Sequence, residues 1–126
     1  MKTVSIIMGI YNCEATLAEA IDSILNQTFT DWELIMCDDA SSDSTMEIAK
    51  DYAAKHKNIK IIANSRNRGL NYTLNHCLKY AKGKYIARMD GDDISEPTRF
   101  EKQVDFLEKH PETAIVSSTM TCFDEN

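Results

Sequence analysis

Residues 4–25, VSIIMGIYNCEATLAEAIDSIL, join a short apolar run to a longer segment in which apolar residues recur at the spacing of a helix. The run Val4–Met8 has Ser5 as its one polar residue, which is typical of a strand that is buried on both faces. The helical spacing is carried by Leu17, Ile21, Ile24 and Leu25. Asn12 is a residue type that caps helix N-termini. The segment therefore predicts one β-α unit, capped by Asn12.

The same unit repeats along the chain. Apolar runs predict further strands at Trp32–Cys37, Ile59–Ala63, Lys84–Met89 and Ala114–Ser118. Helices are predicted at 44–56 from a Ser44-x-x-Glu47 capping box, at 70–81 before a stop at Gly83, and from about Pro97 with a stop before His110. Short buried strands that alternate with helices pair in parallel through crossover connections. The pattern predicts an α/β fold of Rossmann type, with a mainly parallel sheet flanked by helices.

The composition narrows the class of protein. The chain has 126 residues and a net charge of −6, with 14 Lys and Arg against 20 Asp and Glu, which disfavours nucleic acid or an anionic membrane surface as the main partner. The 4 cysteines form no Cys-x-x-Cys pair and are interpreted as reduced thiols. The 3 histidines show no metal-ligand spacing and are interpreted as residues at helix surfaces or helix ends. No apolar stretch reaches the roughly 18 residues of a membrane span. We expect residues 1–126 to form a single soluble domain.

An acidic cluster, Asp90-Gly91-Asp92-Asp93, follows the fourth predicted strand. Carboxylates this close repel one another by roughly 1 kcal/mol or more per pair once water is partly excluded, so a bound cation would compensate them. Gly91 permits dihedral angles that turn the flanking carboxylates toward one point. A merely solvated acidic turn is the other interpretation, and the neighbouring loops disfavour it.

Polar and aromatic side chains also follow the other strands. They are Tyr11 after the first strand, Asp38, Asp39 and Asp43 after the second, Arg66 and Arg68 after the third, and Arg88 near the end of the fourth. Because ligands of parallel sheets bind at the carboxyl ends of the strands, these groups converge on one edge. A base can stack on Tyr11, a carboxylate can accept its imino N–H, and a carboxylate-bound metal can bridge two phosphates. The set predicts a nucleoside-diphosphate site without the glycine-rich loops of ATPases, GTPases or dinucleotide enzymes.

Five motifs in order resemble the family 2 glycosyltransferases. They are Val4–Asn12, Leu25-Asn26-Gln27-Thr28-Phe29 with Trp32-Glu33-Leu34, Asp38-Asp39-Ala40-Ser41 with Asp43 and Thr45, Asn67-Arg68-Gly69-Leu70 through Asn75, and Gly83–Asp93. The resemblance covers the chain from Thr3 onward, and Ala40 stands where the family often has glycine. It implies the GT-A fold, a Rossmann-like fold that binds nucleotide sugars.

The resemblance also implies a role for each motif residue. Tyr11 would lie against the nucleobase, and Asp39 would accept the N3–H of a uracil with Asp38 beside it. Asp92 would be the ligand of a divalent metal, Mn²⁺ or Mg²⁺, and Asp90 would lie near the ribose or the sugar. The other residues of the implied donor site are Ile10, Arg66, Gly69, Arg88 and Gly91. The arginines at 66, 68 and 88 either contact phosphate or neutralise the acidic edge, and Asp43 serves the turn into the next helix.

The activity that the resemblance implies is transfer of a sugar, with inversion, from a nucleoside-diphosphate donor to an acceptor hydroxyl. A UDP-sugar is the expected donor, and a glycan or lipid-linked molecule is the expected acceptor, in polysaccharide or cell-surface glycan synthesis. The expected location is cytoplasmic, including peripheral attachment at the inner face of the membrane. In the family the general base lies in a later segment, and neither Glu112 nor Asp124 falls in a matching motif. We therefore expect the base beyond Asn126, and this chain to be the donor half, without the acceptor half and with weak or no transfer alone.

Two other interpretations remain open at this point. Asp90–Ile94 also resembles the nucleophile motif of haloacid-dehalogenase phosphatases, although that motif follows the first strand in its own family and follows the fourth here. Trapping of an aspartyl-phosphate would support this interpretation. The other alternative is a non-catalytic nucleotide-sugar-binding fragment or an assembly module.

Overall fold

The computed structural model of the chain describes residues 3–110, 115–116 and 122–123. In chain order its elements are β1 (Val4–Ile10), α1 (Leu17–Leu25), β2 (Trp32–Asp38), α2 (Thr45–Lys55), β3 (Ile59–Ala63), α3 (Leu70–Leu78), β4 (Tyr85–Arg88), α4 (Arg99–Lys109), β5 (Ile115–Val116) and β6 (Cys122–Phe123). The main sheet has four strands in the order β3-β2-β1-β4, and every neighbouring pair is parallel. The predicted α/β fold with a mainly parallel sheet is confirmed. Within the described residues, no helix has the length and apolar character needed to cross a membrane.

Alternate side chains of the two central strands enter two separate cores. The larger core lies between the sheet and helices α1, α2 and α4, and it includes Met8, Met36 and Phe100. The smaller core lies on the opposite face of the sheet, where α3 packs; its buried members are Ile7, Ile35, Cys37, Leu74 and Cys77. Because both faces are covered, β1 and β2 are apolar almost throughout. The loops after β1 and β2 therefore begin at buried strands and end at the starts of packed helices, which fixes their position.

Helix α1 begins later than predicted. Its N-cap is Thr16, whereas Asn12 adopts a left-handed φ of 47° in the preceding loop. The side-chain Oδ1 of Asn12 accepts a hydrogen bond of 2.8 Å from Ser42 N. The predicted cap is wrong because the Asn12 side chain joins the loop after β1 to the loop after β2.

Helix α2 follows Ser44 as predicted, but the capping box does not form. Ser44 makes no side-chain cap hydrogen bond, and its own N–H donates to Glu14 Oε1 at 2.9 Å. The Asp43 carboxylate accepts from Thr45 N at 2.9 Å instead. An ionised carboxylate is a stronger acceptor than a hydroxyl, so Asp43 takes the place at the turn that the sequence predicted for it.

Gly83 lies in the turn before β4 and is not the stop of α3, which ends at Leu78. Close packing explains the glycine, since an added Cβ would lie 2.7 Å from Ser5 N. Gly83 N donates to Ser5 Oγ at 2.7 Å. Ser5 Oγ in turn donates to the buried carboxylate of Glu33, which also accepts from Lys82 N at 2.9 Å. This polar cluster fixes the start of β4 against β1 and β2 at the amino end of the sheet.

The predicted fifth strand does not extend the main sheet. Ile115–Val116 pairs antiparallel with Cys122–Phe123 in a separate two-stranded sheet, and the rest of the prediction, Ala114 and 117–118, lies outside the described residues. The connection between the two short strands is too short for the crossover that parallel pairing needs. Glu112 and Asp124 also lie outside the described residues.

Candidate functional site

Two adjoining cavities lie at the carboxyl end of the main sheet, as the strand order predicts. The larger, of about 670 Å³, reaches the acidic cluster at Asp90, Gly91 and Asp92. The smaller, of about 320 Å³, reaches Asp39 and the start of α3. Both are lined by Gly9, Tyr11 and Leu70. Tyr11 is 51% exposed, so its ring is free to contact a ligand where the two cavities meet.

The acidic loop brings three carboxylates together. One oxygen from each of Asp90, Asp92 and Asp93 lies within 4.8 Å of the others. Asp93 also closes the loop, because its N–H donates to Asp90 O and its Oδ2 accepts from Asp90 N, each at 3.1 Å. Sequence reasoning assigned the metal to Asp92 alone, because the loop closure that draws Asp93 inward is visible only in three dimensions.

The donor set fits a divalent cation. Carboxylate oxygens are the ligands that Mg²⁺ and Mn²⁺ prefer. Oδ1 of Asp90 is buried and has no hydrogen-bond partner within the described residues; its one cationic neighbour there is Arg88, whose Nη2 lies 3.5 Å away. At 3.5 Å Arg88 lies beyond the length of a charge-assisted hydrogen bond and compensates this oxygen only in part, so the oxygen still suits a metal ligand better than a solvated turn.

Gly91 lets the acidic loop lie directly against the segment before α1. An added Cβ at Gly91 would lie 2.8 Å from Cys13 Sγ and 3.3 Å from Ile10 Cγ2. The Gly91 carbonyl accepts a hydrogen bond of 3.0 Å from Thr16 Oγ1. Burial raises the pKa of the Cys13 thiol, so this side chain adds no charge to the acidic cavity at neutral pH. Cys13 and Thr16, which sequence reasoning left out of the site, therefore hold the loop in place.

A buried arginine spans the two ends of the acidic loop. Arg99, in the first turn of α4, is 1% exposed and donates through Nη1 to Ser95 Oγ at 2.8 Å and through Nη2 to Arg88 O at 3.2 Å. Burial lowers the pKa of Arg99 to about 10, which leaves it charged at neutral pH, and the carboxylate of Asp93 opposes that shift. Sequence reasoning missed Arg99 because an arginine at the start of an amphipathic helix is usually exposed.

Asp39 forms the polar end of the smaller cavity. Its Oδ1 accepts from Arg68 N at 2.7 Å and from Asn64 Nδ2 at 2.8 Å, and its Oδ2 accepts from Gly69 N at 3.0 Å. Burial alone would raise the pKa of Asp39, but the hydrogen bonds from Arg68, Asn64 and Gly69 outweigh it and hold the pKa below its ordinary value. The carboxylate is therefore ionised and oriented by groups at the start of α3.

The other predicted donor residues take different positions. The Asp38 carboxylate lines neither cavity, because it accepts from Ser41 Oγ at 2.6 Å and from Ser41 N at 3.2 Å within the turn after β2. Ile10 lines the smaller cavity, but its side chain is buried in the larger core and its carbonyl accepts from Asp39 N at 2.9 Å. Arg66 is exposed and lines neither cavity. The donor-binding roles of Asp38, Arg66 and Arg88 stay predictions.

A family model described as "Glycosyl transferase family 2" matches residues 5–126, nearly the whole chain. The chain belongs to glycosyl transferase family 2. This membership agrees with the resemblance seen in the five motifs, and the family replaces the haloacid-dehalogenase interpretation of the acidic loop.

Curated relatives of this family 2 chain are longer proteins. EpsE of Bacillus subtilis (strain 168) is 60% identical over 123 residues, which are 97% of this chain and 44% of EpsE. The Escherichia coli protein named UDP-Glc:alpha-D-GlcNAc-diphosphoundecaprenol beta-1,3-glucosyltransferase WfgD is 40% identical over 107 residues, 85% of this chain and 42% of WfgD. The chain thus spans less than half the length of these relatives.

Solved structures share the fold. TarS 1–349 of S. aureus, crystallised in complex with UDP, matches with a TM-score of 0.80 and 30% identity over 88% of this chain and 33% of its own. The mannosyltransferase PcManGT of Pyrobaculum calidifontis, in complex with GDP-Man and Mn²⁺, matches with a TM-score of 0.81 and 24% identity over 87% of this chain and 33% of its own. These neighbours have the GT-A fold, and the GT-A prediction is confirmed.

Proposed function

We propose that this family 2 chain binds the nucleoside diphosphate of a sugar donor, with UDP as the nucleotide, and that the protein transfers the sugar to an acceptor hydroxyl. The observation that carries the proposal is the pair of adjoining cavities. One presents an ionised, oriented carboxylate and the other a cluster of three carboxylates, with the exposed Tyr11 ring between them. A nucleoside diphosphate has a base at one end and a diphosphate at the other, joined by the ribose. The base would lie against the Asp39 carboxylate, and the diphosphate would lie near the three carboxylates. The UDP complex of TarS supports the same assignment.

In this proposal the smaller cavity receives the base. Gly69 N donates to Oδ2 of Asp39, and because a carboxylate oxygen can accept more than one hydrogen bond, this oxygen can also accept the imino N–H of a uracil. Tyr11 offers a flat apolar surface for stacking. A neutral base binds here at little electrostatic cost, because hydrogen bonds already satisfy most of the charge on Asp39.

The larger cavity receives the diphosphate. Asp90, Asp92 and Asp93 would hold the divalent metal, Mn²⁺ or Mg²⁺, and Arg88 would add a positive charge at the same edge. When bound, such a metal acts as a Lewis acid that stabilises the negative charge growing on the leaving diphosphate. Arg99 donates hydrogen bonds to both ends of the acidic loop, at Arg88 O and Ser95 Oγ, and so keeps the spacing of the carboxylates. We assign no general base among the described residues, and we propose inversion with a base supplied by a later segment.

The acceptor and the place of action are also proposals. WfgD is named for UDP-Glc and for an acceptor linked to diphosphoundecaprenol, which supports a glycan or lipid-linked acceptor for this chain as well. Such an acceptor agrees with a cytoplasmic protein that acts at the inner face of the membrane, in polysaccharide or cell-surface glycan synthesis. Residues 1–126 would then be the donor-binding part of a longer family 2 architecture, since 88% of this chain matches 33% of the TarS chain.

Calorimetric titration with UDP, with and without Mn²⁺, tests the proposal. We expect Mn²⁺ to tighten UDP binding by roughly tenfold or more, because the metal joins the diphosphate to the carboxylates. Asp92→Asn should abolish this gain, whereas the matched control Asp51→Asn should keep it, because Asp51 lies on the exposed face of α2, where it pairs with the exposed Lys55. Absence of UDP binding by the folded wild-type protein in Mn²⁺ would contradict the proposal.

A further inference from the structure

A buried amide lies behind the carboxylate of Asp39. Asn64, 8% exposed, donates through Nδ2 to Asp39 Oδ1 at 2.8 Å and to Thr73 Oγ1 at 2.9 Å. On its other side, Oδ1 of Asn64 lies 2.8 Å from His76 Nδ1. A carboxylate, an amide and an imidazole thus form one continuous line of hydrogen bonds from the smaller cavity to the outer face of α3.

The partners of Asn64 fix which way its amide points. Ionised Asp39 can only accept, and Thr73 has already given its hydroxyl proton to Gly69 O at 2.7 Å, so both require the amide nitrogen. The amide oxygen then needs a donor, and His76 Nδ1 is placed to supply one. The thiol of Cys37 lies 3.5 Å from the same oxygen and is a weaker second donor. The network therefore requires the tautomer of His76 that carries a proton on Nδ1.

The outer face of α3 holds the imidazole in position. The His76 ring lies between two tyrosine rings, with its centroid 6.2 Å from that of Tyr72 and 6.0 Å from that of Tyr80. The guanidinium of Arg68 covers Tyr72 at 4.1 Å from the ring centroid, while Arg68 N donates to Asp39. The sequence indicated that His76 is a helix-surface residue; it is half-buried on that surface, and its Nδ1 also reaches a buried amide.

We propose that His76 is a positioning residue for the nucleobase: its Nδ1–H fixes the Asn64 amide, and the amide fixes the carboxylate of Asp39. The inference rests on the proposed function, since it assumes that Asp39 receives the base. Without the imidazole, the Asn64 oxygen keeps only the weaker of its two described donors, the thiol of Cys37, so the amide is held less firmly in the orientation that donates to Asp39. A flipped amide would turn its oxygen toward the carboxylate, and repulsion would rotate Asp39 away from the orientation that accepts an imino N–H.

Three variants separate positioning from general stability. His76→Phe keeps the ring contacts and removes the donor, and His76→Asn can restore a donor near the place of Nδ1. His56→Phe is the matched control, because His56 stacks on Tyr52 at the end of α2 and precedes the amino end of β3, the opposite end of the sheet from Asp39. We expect His76→Phe to weaken UDP binding about tenfold, as loss of a second layer of hydrogen bonding does elsewhere, and His76→Asn to recover most of it. Binding of Mn²⁺-pyrophosphate should not change in any of the three.

Nuclear magnetic resonance of the ligand-free protein tests the network directly. The imidazole nitrogens of wild-type His76 should report a proton on Nδ1 at neutral pH, and the carboxyl carbon of Asp39 should titrate at a higher pH in His76→Phe than in wild type. If wild type binds no UDP, the proposed function fails, and these signals still decide on the network. An unprotonated Nδ1 overturns the inference, as does wild-type UDP affinity in His76→Phe. Equal losses of UDP and pyrophosphate binding also overturn it, because they indicate a structural role only.

Discussion

Gly91→Ala should distort the acidic loop in a way that a second substitution can repair. The added Cβ would lie 2.8 Å from Cys13 Sγ, about 1 Å inside the usual contact distance of roughly 3.5–4.0 Å, and 3.3 Å from Ile10 Cγ2. Either the thiol or the loop must move. Overpacking of this kind costs about 1–3 kcal/mol, and displacement of the loop would separate the metal-binding oxygens.

Cys13→Ala removes the sulfur and leaves Ile10 Cγ2 at 3.3 Å and Cys13 Cβ at 3.7 Å as the nearest atoms to the new Cβ. The double variant should therefore recover most of the loss. We expect a coupling of about 1–2 kcal/mol between the two positions, well above the few tenths that separate sites show. A coupling of the same size in the free energy of Mn²⁺-dependent UDP binding would be a factor of about 5–30 in affinity.

A double-mutant cycle measures this coupling. Wild type, each single variant and the double variant would be compared by urea unfolding and by UDP titration in Mn²⁺, with Cys13→Ala alone as the control for loss of the thiol. Additive effects of the two substitutions would refute the reasoning, because they would mean that the alanine meets something other than Cys13.

Three further predictions concern stability. Gly83→Ala should lower the free energy of unfolding by about 3 kcal/mol or more, because the added Cβ meets the backbone at Ser5 N. Urea unfolding would measure this, with Lys82→Ala as the control: it is an exposed change in the same turn and should stay within about 0.5 kcal/mol of wild type. Equal unfolding midpoints for the two variants would contradict the prediction. Ala40→Gly should raise the unfolding free energy by about 1 kcal/mol, since Ala40 has a left-handed φ of 64°; a lower denaturation midpoint would count against this. The pKa of Asp39 is lowered from 3.8 in the folded protein, so its ionised carboxylate stabilises the fold above that pH, and this contribution is lost as the pH falls through the lowered pKa. The difference in unfolding free energy between wild type and Asp39→Asn should therefore be full at pH 7 and shrink below about pH 4. A difference that does not depend on pH would refute the assignment.

The parallel sheet and the place of the site could be predicted because both follow from local patterns. Runs such as Trp32–Cys37, which is apolar apart from Glu33, have the length of a strand, and the rule for parallel sheets then places Tyr11, Asp39 and the acidic cluster at one edge. Ala40 has a left-handed φ of 64°, a conformation that favours the glycine which the family often has at this position, although no sequence pattern predicted this conformation.

The inner supports of the site could not be predicted because they depend on contacts between distant segments. Asp38 and Asp39 are neighbours in sequence, yet one serves a turn and the other faces a cavity, which follows from the loop geometry after β2. Asn64 and His76 acquire their role from the packing of α3 on the sheet, and Arg99 from the fold of the acidic loop over α4. Each of these residues has an ordinary surface interpretation in the sequence.

The strand order also sets an order of assembly. On one edge β1 pairs with β2 at Val4↔Trp32, and on the other it pairs with β4 at Val4↔Tyr85. Because β4 lies about 80 residues after β1, the ribosome makes this second neighbour late. The smaller cavity uses residues no later than Thr73, whereas the larger one needs Asp90, Gly91 and Asp92. A growing chain can therefore complete the cavity at Asp39 before the acidic cavity exists. Long-range pairing of this kind slows folding, so docking of β4 is the step at which we expect the two cavities to become one site.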